Sequence, residues 1–106
     1  MVEIRILYVP CSSMVDAKKM SSVLLEQKLV SCVNIFDSVT SMYFWEGKIA
    51  EENEVLLVAK TTIKLVSQAR AVIEKIHSYS IPCILVMSSE VNQKYSDWMH
   101  SVVNTG

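Results

Sequence analysis

Glycine and proline are scarce in this 106-residue chain, which holds only Gly47, Gly106, Pro10 and Pro82. So few breakers leave room for long regular elements and none for a flexible linker. The length predicts one domain, residues 1–106. Repeats at solenoid periods and low-complexity tracts are absent. No apolar run reaches the ~18 residues that a membrane span needs. Met1-Val2-Glu3-Ile4-Arg5 shows no basic leader before an apolar stretch, so no signal peptide and no membrane partner are expected. Charge of one sign is lacking too: ten Lys and Arg stand against eleven Asp and Glu, for a net charge of -1. The cations are scattered, and nucleic-acid binding would need a basic stripe or patch.

Cys11, Cys32 and Cys83 are the three cysteines, an odd number with no close pair. That excludes a disulfide framework and a Cys-x-x-Cys zinc site. Reduced thiols in a cytoplasmic protein are the expectation. Neither a Gly-x-Ser-x-Gly elbow nor a Gly-rich phosphate loop occurs. No catalytic constellation follows from spacing, so the chain is not expected to be an enzyme.

What the sequence does have is apolar residues: 51% are hydrophobic and 20% charged, with a mean hydropathy of +0.31. A domain this small buries only about 60–70% of the surface its unfolded chain exposes. The apolar excess implies surface hidden against another copy of the chain.

Glu3 to Val9 is β-branched and ends at Pro10, which predicts a strand. Ser13-Met14-Val15-Asp16 fits a capping signal, with both side chains reaching free backbone N–H groups. A helix follows over Val15 to Leu29, with Ala17, Met20 and Leu24 on one side. Val30 to Phe44 is rich in strand formers. Trp45 to Glu54 is polar and acidic and predicts a hairpin connection. Glu54 to Thr62 is a nearly unbroken apolar strand, the kind covered on both faces. Ile63 to Ile76 repeats apolar residues at three- and four-residue spacing, as a helix does. His77 to Ile81 connects it to a strand over Pro82 to Met87. Val91 to Val103 closes the chain as a helix with Tyr95, Trp98, Met99 and Val102 on one side.

The first six elements spell βαββαβ, the split β-α-β of a ferredoxin-like α+β sandwich, and a C-terminal helix follows. Two helices would cover one face of a four-stranded antiparallel sheet. The other face is apolar and has at most the last helix to cover it, so a symmetric partner is expected. Sheet pairing between subunits in a closed ring would also protect the strand edges.

Five segments resemble the CutA proteins, in order and with matching gaps. Leu29-Val30-Ser31-Cys32-Val33-Asn34-Ile35 is similar to the family's Leu-Ala-Ala-Cys-Val-Asn-Ile. Ser41-Met42-Tyr43-Phe44-Trp45-Glu46-Gly47-Lys48-Ile49 is similar to its Ser-x-Tyr-x-Trp-Glu-Gly-Lys-Ile. Glu54 through Lys60-Thr61, His77-Ser78-Tyr79-Ser80-Ile81-Pro82-Cys83-Ile84 and Tyr95-Ser96-Asp97-Trp98 follow the same pattern. Ser78 stands where the family has proline, Cys83 where it has glutamate, and Phe44 where a basic residue is common. Pro10 is followed by Cys11-Ser12-Ser13, without the usual acidic residue. The resemblance implies a compact homotrimer, a role in divalent-cation tolerance, and copper binding as in some members. It also implies an architecture like that of the PII signalling proteins.

Cys32, His77 and Cys83 are the candidate metal ligands, since thiolate and imidazole suit copper or another soft divalent ion. Cys32 and His77 fall on family positions and Cys83 does not. The plainer reading of the two cysteines is strand thiols packed as small hydrophobes. Tyr43, Trp45, Lys60, Tyr79 and Trp98 form a candidate ligand pocket between subunits, with Lys60 holding an organic anion or pairing with Glu46 or Glu54. Core or interface packing of the aromatics is the alternative. The expected function is a metal-binding, non-catalytic trimer in the response to metal ions. Its rivals are a PII-like sensor of small molecules and a structural scaffold.

Overall fold

Burial alternates residue by residue where the chain starts: Leu7, Val9 and Cys11 are shut from solvent, while Ile6, Tyr8 and Pro10 are half-buried. That period of two is a strand with one face in the core. In the computed structural model, which describes residues 1–105, this strand is β1 (Val2–Cys11). It is followed by α1 (Met14–Glu26), β2 (Cys32–Trp45) and β3 (Lys48–Thr61), then α2 (Val66–Ile76), β4 (Leu85–Val91) and α3 (Gln93–Val102). The strands lie in the order β2-β3-β1-β4, and every pairing is antiparallel. Split β-α-β topology with an added helix is the outcome, as the pattern predicts.

Leu7 and Val9 of β1 and Leu57 and Ala59 of β3 point to one face, where Ala17, Met20 and Leu24 of α1 and Ala69 and Ile73 of α2 meet them. Each buried Leu or Ile there stabilises the fold by about 1.5–3 kcal/mol. The second face holds Ile6, Tyr8, Phe36, Leu56, Leu85 and Met87, by the cross-strand register. α3 covers one end of it, and Ile4 and Met99 are buried there. Phe36, Leu85 and Met87 remain exposed.

Several boundaries differ from expectation. Pro10 does not end β1. Its carbonyl accepts from the His77 ring at 2.9 Å, so it faces away from β3. A residue's N and C=O point to the same side of a strand, so the N–H that proline lacks would also face away from β3. β4 has already stopped opposite Tyr8. No ladder bond is lost, and the proline is tolerated.

α1 stops at Glu26, short of Leu29. Leu29 N–H bonds to Leu24 O and Lys28 N–H to Leu25 O, both at 3.0 Å, with Lys28 at φ 56. This is a Schellman stop with lysine in the glycine place. Leu24 and Leu29 supply its apolar contact, and both are buried. α2 begins at Val66 because Thr62 first forms a turn, its hydroxyl accepting the Leu65 N–H at 3.3 Å. On α3 the buried residues are Ser96 and Met99, while Trp98 and Val102 are exposed.

The largest difference is the hairpin. The connection is two residues, Glu46 and Gly47, both with positive φ (50 and 79), as a type I′ turn requires. The acidic stretch expected as loop is strand. β2 and β3 therefore run 14 residues each, or about 47 Å at ~3.4 Å per residue. That matches the 46 Å long axis of the molecule. Their outer halves form an arm that β1 does not reach.

At the start of α1, Ser13 Oγ accepts the Asp16 N–H at 3.1 Å. Asp16 does not close the capping box on a backbone N–H; its carboxylate takes the hydroxyls of Ser12 and Ser78. Ser13→Ala should therefore lower stability by about 1 kcal/mol. Denaturant unfolding at fixed protein concentration checks this as a lower midpoint with an unchanged slope.

Candidate functional site

Past the end of β1, the arm and the segment after α2 face each other across a groove. Its volume is about 750 Å3, and Tyr43, Trp45, Glu52, Glu54, Tyr79 and Cys83 line it. A bulge in β2 decides which arm residues do so. Pairing runs Phe36↔Leu56 and then Val39↔Glu54, so Asp37 and Ser38 together oppose Val55. Ser38 takes φ 65 to accommodate this. One extra residue inverts side-chain parity beyond it. Before the bulge the even residues of β2 lie on the second face. After it Ser41, Tyr43 and Trp45 do, on the same face as Ala50, Glu52 and Glu54 of β3.

The opposite wall hangs on His77. Its Nδ1 accepts the Tyr79 N–H at 3.1 Å, which leaves the ring proton on Nε2 to donate to Pro10 O at 2.9 Å. The imidazole thus ties the segment to the end of β1, and the Tyr79 ring lies beside it at 4.7 Å between centroids. The Tyr79 hydroxyl then reaches across to donate to Glu54 Oε2 at 2.8 Å. Burial first, and then the Glu54 carboxylate accepting its proton, push the Tyr79 phenol up. At the arm, hydrogen bonding to the Glu52 carboxylate pushes the Tyr43 phenol up.

Within one protomer the residues named for a pocket between subunits fall in two places. Tyr43, Trp45 and Tyr79 share the groove with Cys83. Lys60 and Trp98 do not belong to it. Lys60 pairs with neither Glu46 nor Glu54; its Nζ sits 5.3 Å from the centroid of Tyr95. Tyr95 packs against Trp98 at 5.4 Å, at the other end of the sheet. Cys32 is part of this second cluster. Burial, then the Cys32 thiol, push the Tyr95 phenol up, against a hydrogen bond with Ser31.

Of the three candidate metal ligands, Cys32 lies far from His77. Cys32 lies opposite Lys60, whereas Cys11, beside His77, lies opposite Val55. Five residues of β3 separate those positions, about 17 Å at ~3.3 Å per residue. Cys83 is exposed, Cys32 half-buried and Cys11 buried. Among the described residues, no three His, Cys, Asp or Glu side chains gather as metal ligands.

The sequence reading gave two important residues other roles, Glu54 as a partner for Lys60 and Asp16 as half of a helix cap. Glu54 is only 8% exposed, and its position at the head of the apolar Val55–Ala59 run was the signal. Asp16 ties α1 to Ser78 through a contact 62 residues apart in sequence, which no local pattern shows.

The fold defines a class first: a ferredoxin-like α+β domain with a four-stranded antiparallel sheet, a third helix on the second face and a long hairpin arm. Residues 5–102 match the CutA1 divalent ion tolerance protein family, and the chain belongs to that family. Divalent-cation tolerance protein CutA of Thermus thermophilus is 34% identical over 107 residues, covering all of both chains. The crystal structure of the divalent ion tolerance protein CutA1 from Ehrlichia chaffeensis gives a TM-score of 0.91 at 37% identity, over 96% of each chain. The periplasmic divalent cation tolerance protein CutA from Archaeoglobus fulgidus gives 0.90 at 32% identity, over 95% of this chain and 99% of its own.

Beside the groove, the Cys11 thiol donates to Val9 O at 3.5 Å. Burial, then Asp16 and Glu54, push its pKa from 9.0 up to about 11. The folded protein thus holds a proton that the unfolded chain gives up above pH 9. The stabilisation is fully present below pH 9 and is lost as pH rises through about 11. Tyr79 acts in the same direction at higher pH. The unfolding free energy should fall as pH is raised from 9, and Cys11→Ala should flatten the first part of that fall. Denaturant titrations at stepped pH measure both.

Proposed function

We propose that this protein serves divalent-cation tolerance as a non-catalytic homotrimer that binds copper or a similar soft metal ion where protomers meet. Full-length membership in the divalent ion tolerance family carries this reading. The exposed apolar face supports the assembly, because patches of that kind on a small domain mark a contact surface.

A metal ion does not fit inside one protomer. Cys32 lies far from His77, and both ring nitrogens of His77 are engaged. His77 can join a metal only by giving up Tyr79 or Pro10. Cys83 is exposed and Cys32 half-buried, so theirs are the soft thiols left accessible to a metal ion. The absence of catalysis is supported by the same geometry: His77 is tied to backbone groups, and Cys11 is held protonated and buried. A cytoplasmic location belongs to the proposal and rests on three free cysteines. No described helix is long and apolar enough to cross a membrane.

Calorimetric titration of the assembled protein with Cu(I), Cu(II) and Zn(II) tests the reading. Saturable Cu(I) binding is expected. The Cys32→Ser/Cys83→Ser double variant should lose it, and His77→Ala should keep it. Equal binding by the native protein and the double variant would refute the metal assignment.

A further inference from the structure

Within one protomer the groove carries negative charge. Lys60, the residue expected to hold an anion, is at the far end of the sheet beside Tyr95. The charged residues that do line the groove are Glu52 and Glu54. Neither takes part in the ion pairs among the described residues, which are Arg5–Glu3 and Arg70–Glu74. Glu54 is nine-tenths buried, and its hydrogen bond from Tyr79 uses Oε2. No buried side-chain oxygen lacks a partner among the described residues. Oε1 has no such partner and therefore keeps some access to solvent.

Around these carboxylates stand the rings of Tyr43, Trp45 and Tyr79. Tyr79 turns its hydroxyl onto Glu54, and Glu52 draws the Tyr43 hydroxyl. The aromatic walls add electron-rich faces to the two negative charges. A volume of about 750 Å3 is that of a small-molecule site. No cation is among the residues that line the groove, although Lys48 lies on the same face opposite Trp45.

We propose that the groove binds organic cations, with an ammonium head at Glu52 and Glu54 and an apolar body against Tyr43, Trp45 and Tyr79. Carboxylate charge and ring quadrupole then act on the same positive centre, and the aromatic contact gains strength as water leaves. A bare metal ion would use the carboxylates alone, and no third ligand stands beside them.

Trp45 reports on the site directly. Trp98 is the other tryptophan, so the Trp98→Phe protein has a single indole, in the groove. Its fluorescence is titrated with choline and with 3,3-dimethylbutan-1-ol, the neutral isostere. A saturable change with choline, at least roughly fivefold weaker with the alcohol, is the expected result. Glu52→Gln should weaken choline binding by roughly five- to tenfold. Glu51→Gln should not, because Glu51 pairs with Met42 on the other face of the arm. Equal response to choline and the alcohol, or no saturable response, overturns the proposal. So does a Glu52-dependent response to Zn(II) in place of choline, which would assign the groove to metal. Protection of Trp45 from acrylamide quenching before ligand is added also overturns it, since a second copy would then fill the groove. The two ligands are compared on one and the same Trp98→Phe protein, so that comparison needs no second variant to fold. The thiol-dependent copper titration can succeed or fail independently of it.

Discussion

β1, β3 and β4 present apolar side chains to both sides of the sheet, and this protomer has helices enough for little more than one. α1 and α2 close the first face over Leu7, Val9, Leu57 and Ala59. α3 seals Ile4 and Met99 at one end of the second and goes no further. What remains is a run of Phe36, Leu85 and Met87 facing outward, with the hairpin arm beyond it. Hydrophobic burial is the dominant favourable term in folding and association alike. The uncovered face is therefore the feature on which the proposed assembly rests. In the proposed trimer it becomes interior.

The element order was readable because each helix and strand carries its own period. Boundaries were harder, for reasons local to single residues. Lys28 stops α1 in a conformation usually given to glycine, so no glycine marked the stop. Pro10 reads as a terminator, yet β4 has ended before it and its missing N–H faces away from β3. Lys48 to Glu54 looks like loop because it is polar and acidic. In the structure those residues belong to a long ribbon whose surfaces lie clear of the main core, so the usual apolar alternation has no reason to appear there.

The site was half legible. Tyr43, Trp45 and Tyr79 were named together and do share a groove. Their meeting depends on one bulge residue pair, Asp37 and Ser38, that flips the parity of β2. No composition rule reveals that shift, because register is a property of two strands. Lys60 and Trp98 were grouped with them by chemistry, and within one protomer they lie beside Tyr95. His77 illustrates the same gap: its residue type suggests a ligand, and its two hydrogen bonds make it a tie between strand and loop. Long-range contacts of this kind turn an aromatic list into two separate places.

Sedimentation equilibrium at low micromolar concentration tests the uncovered face most directly. The account predicts one species of about three times the 12.0 kDa chain mass, with no folded monomer in exchange. A stable, folded species of 12.0 kDa under those conditions would contradict it, because the exposed apolar face would then persist in water unaided.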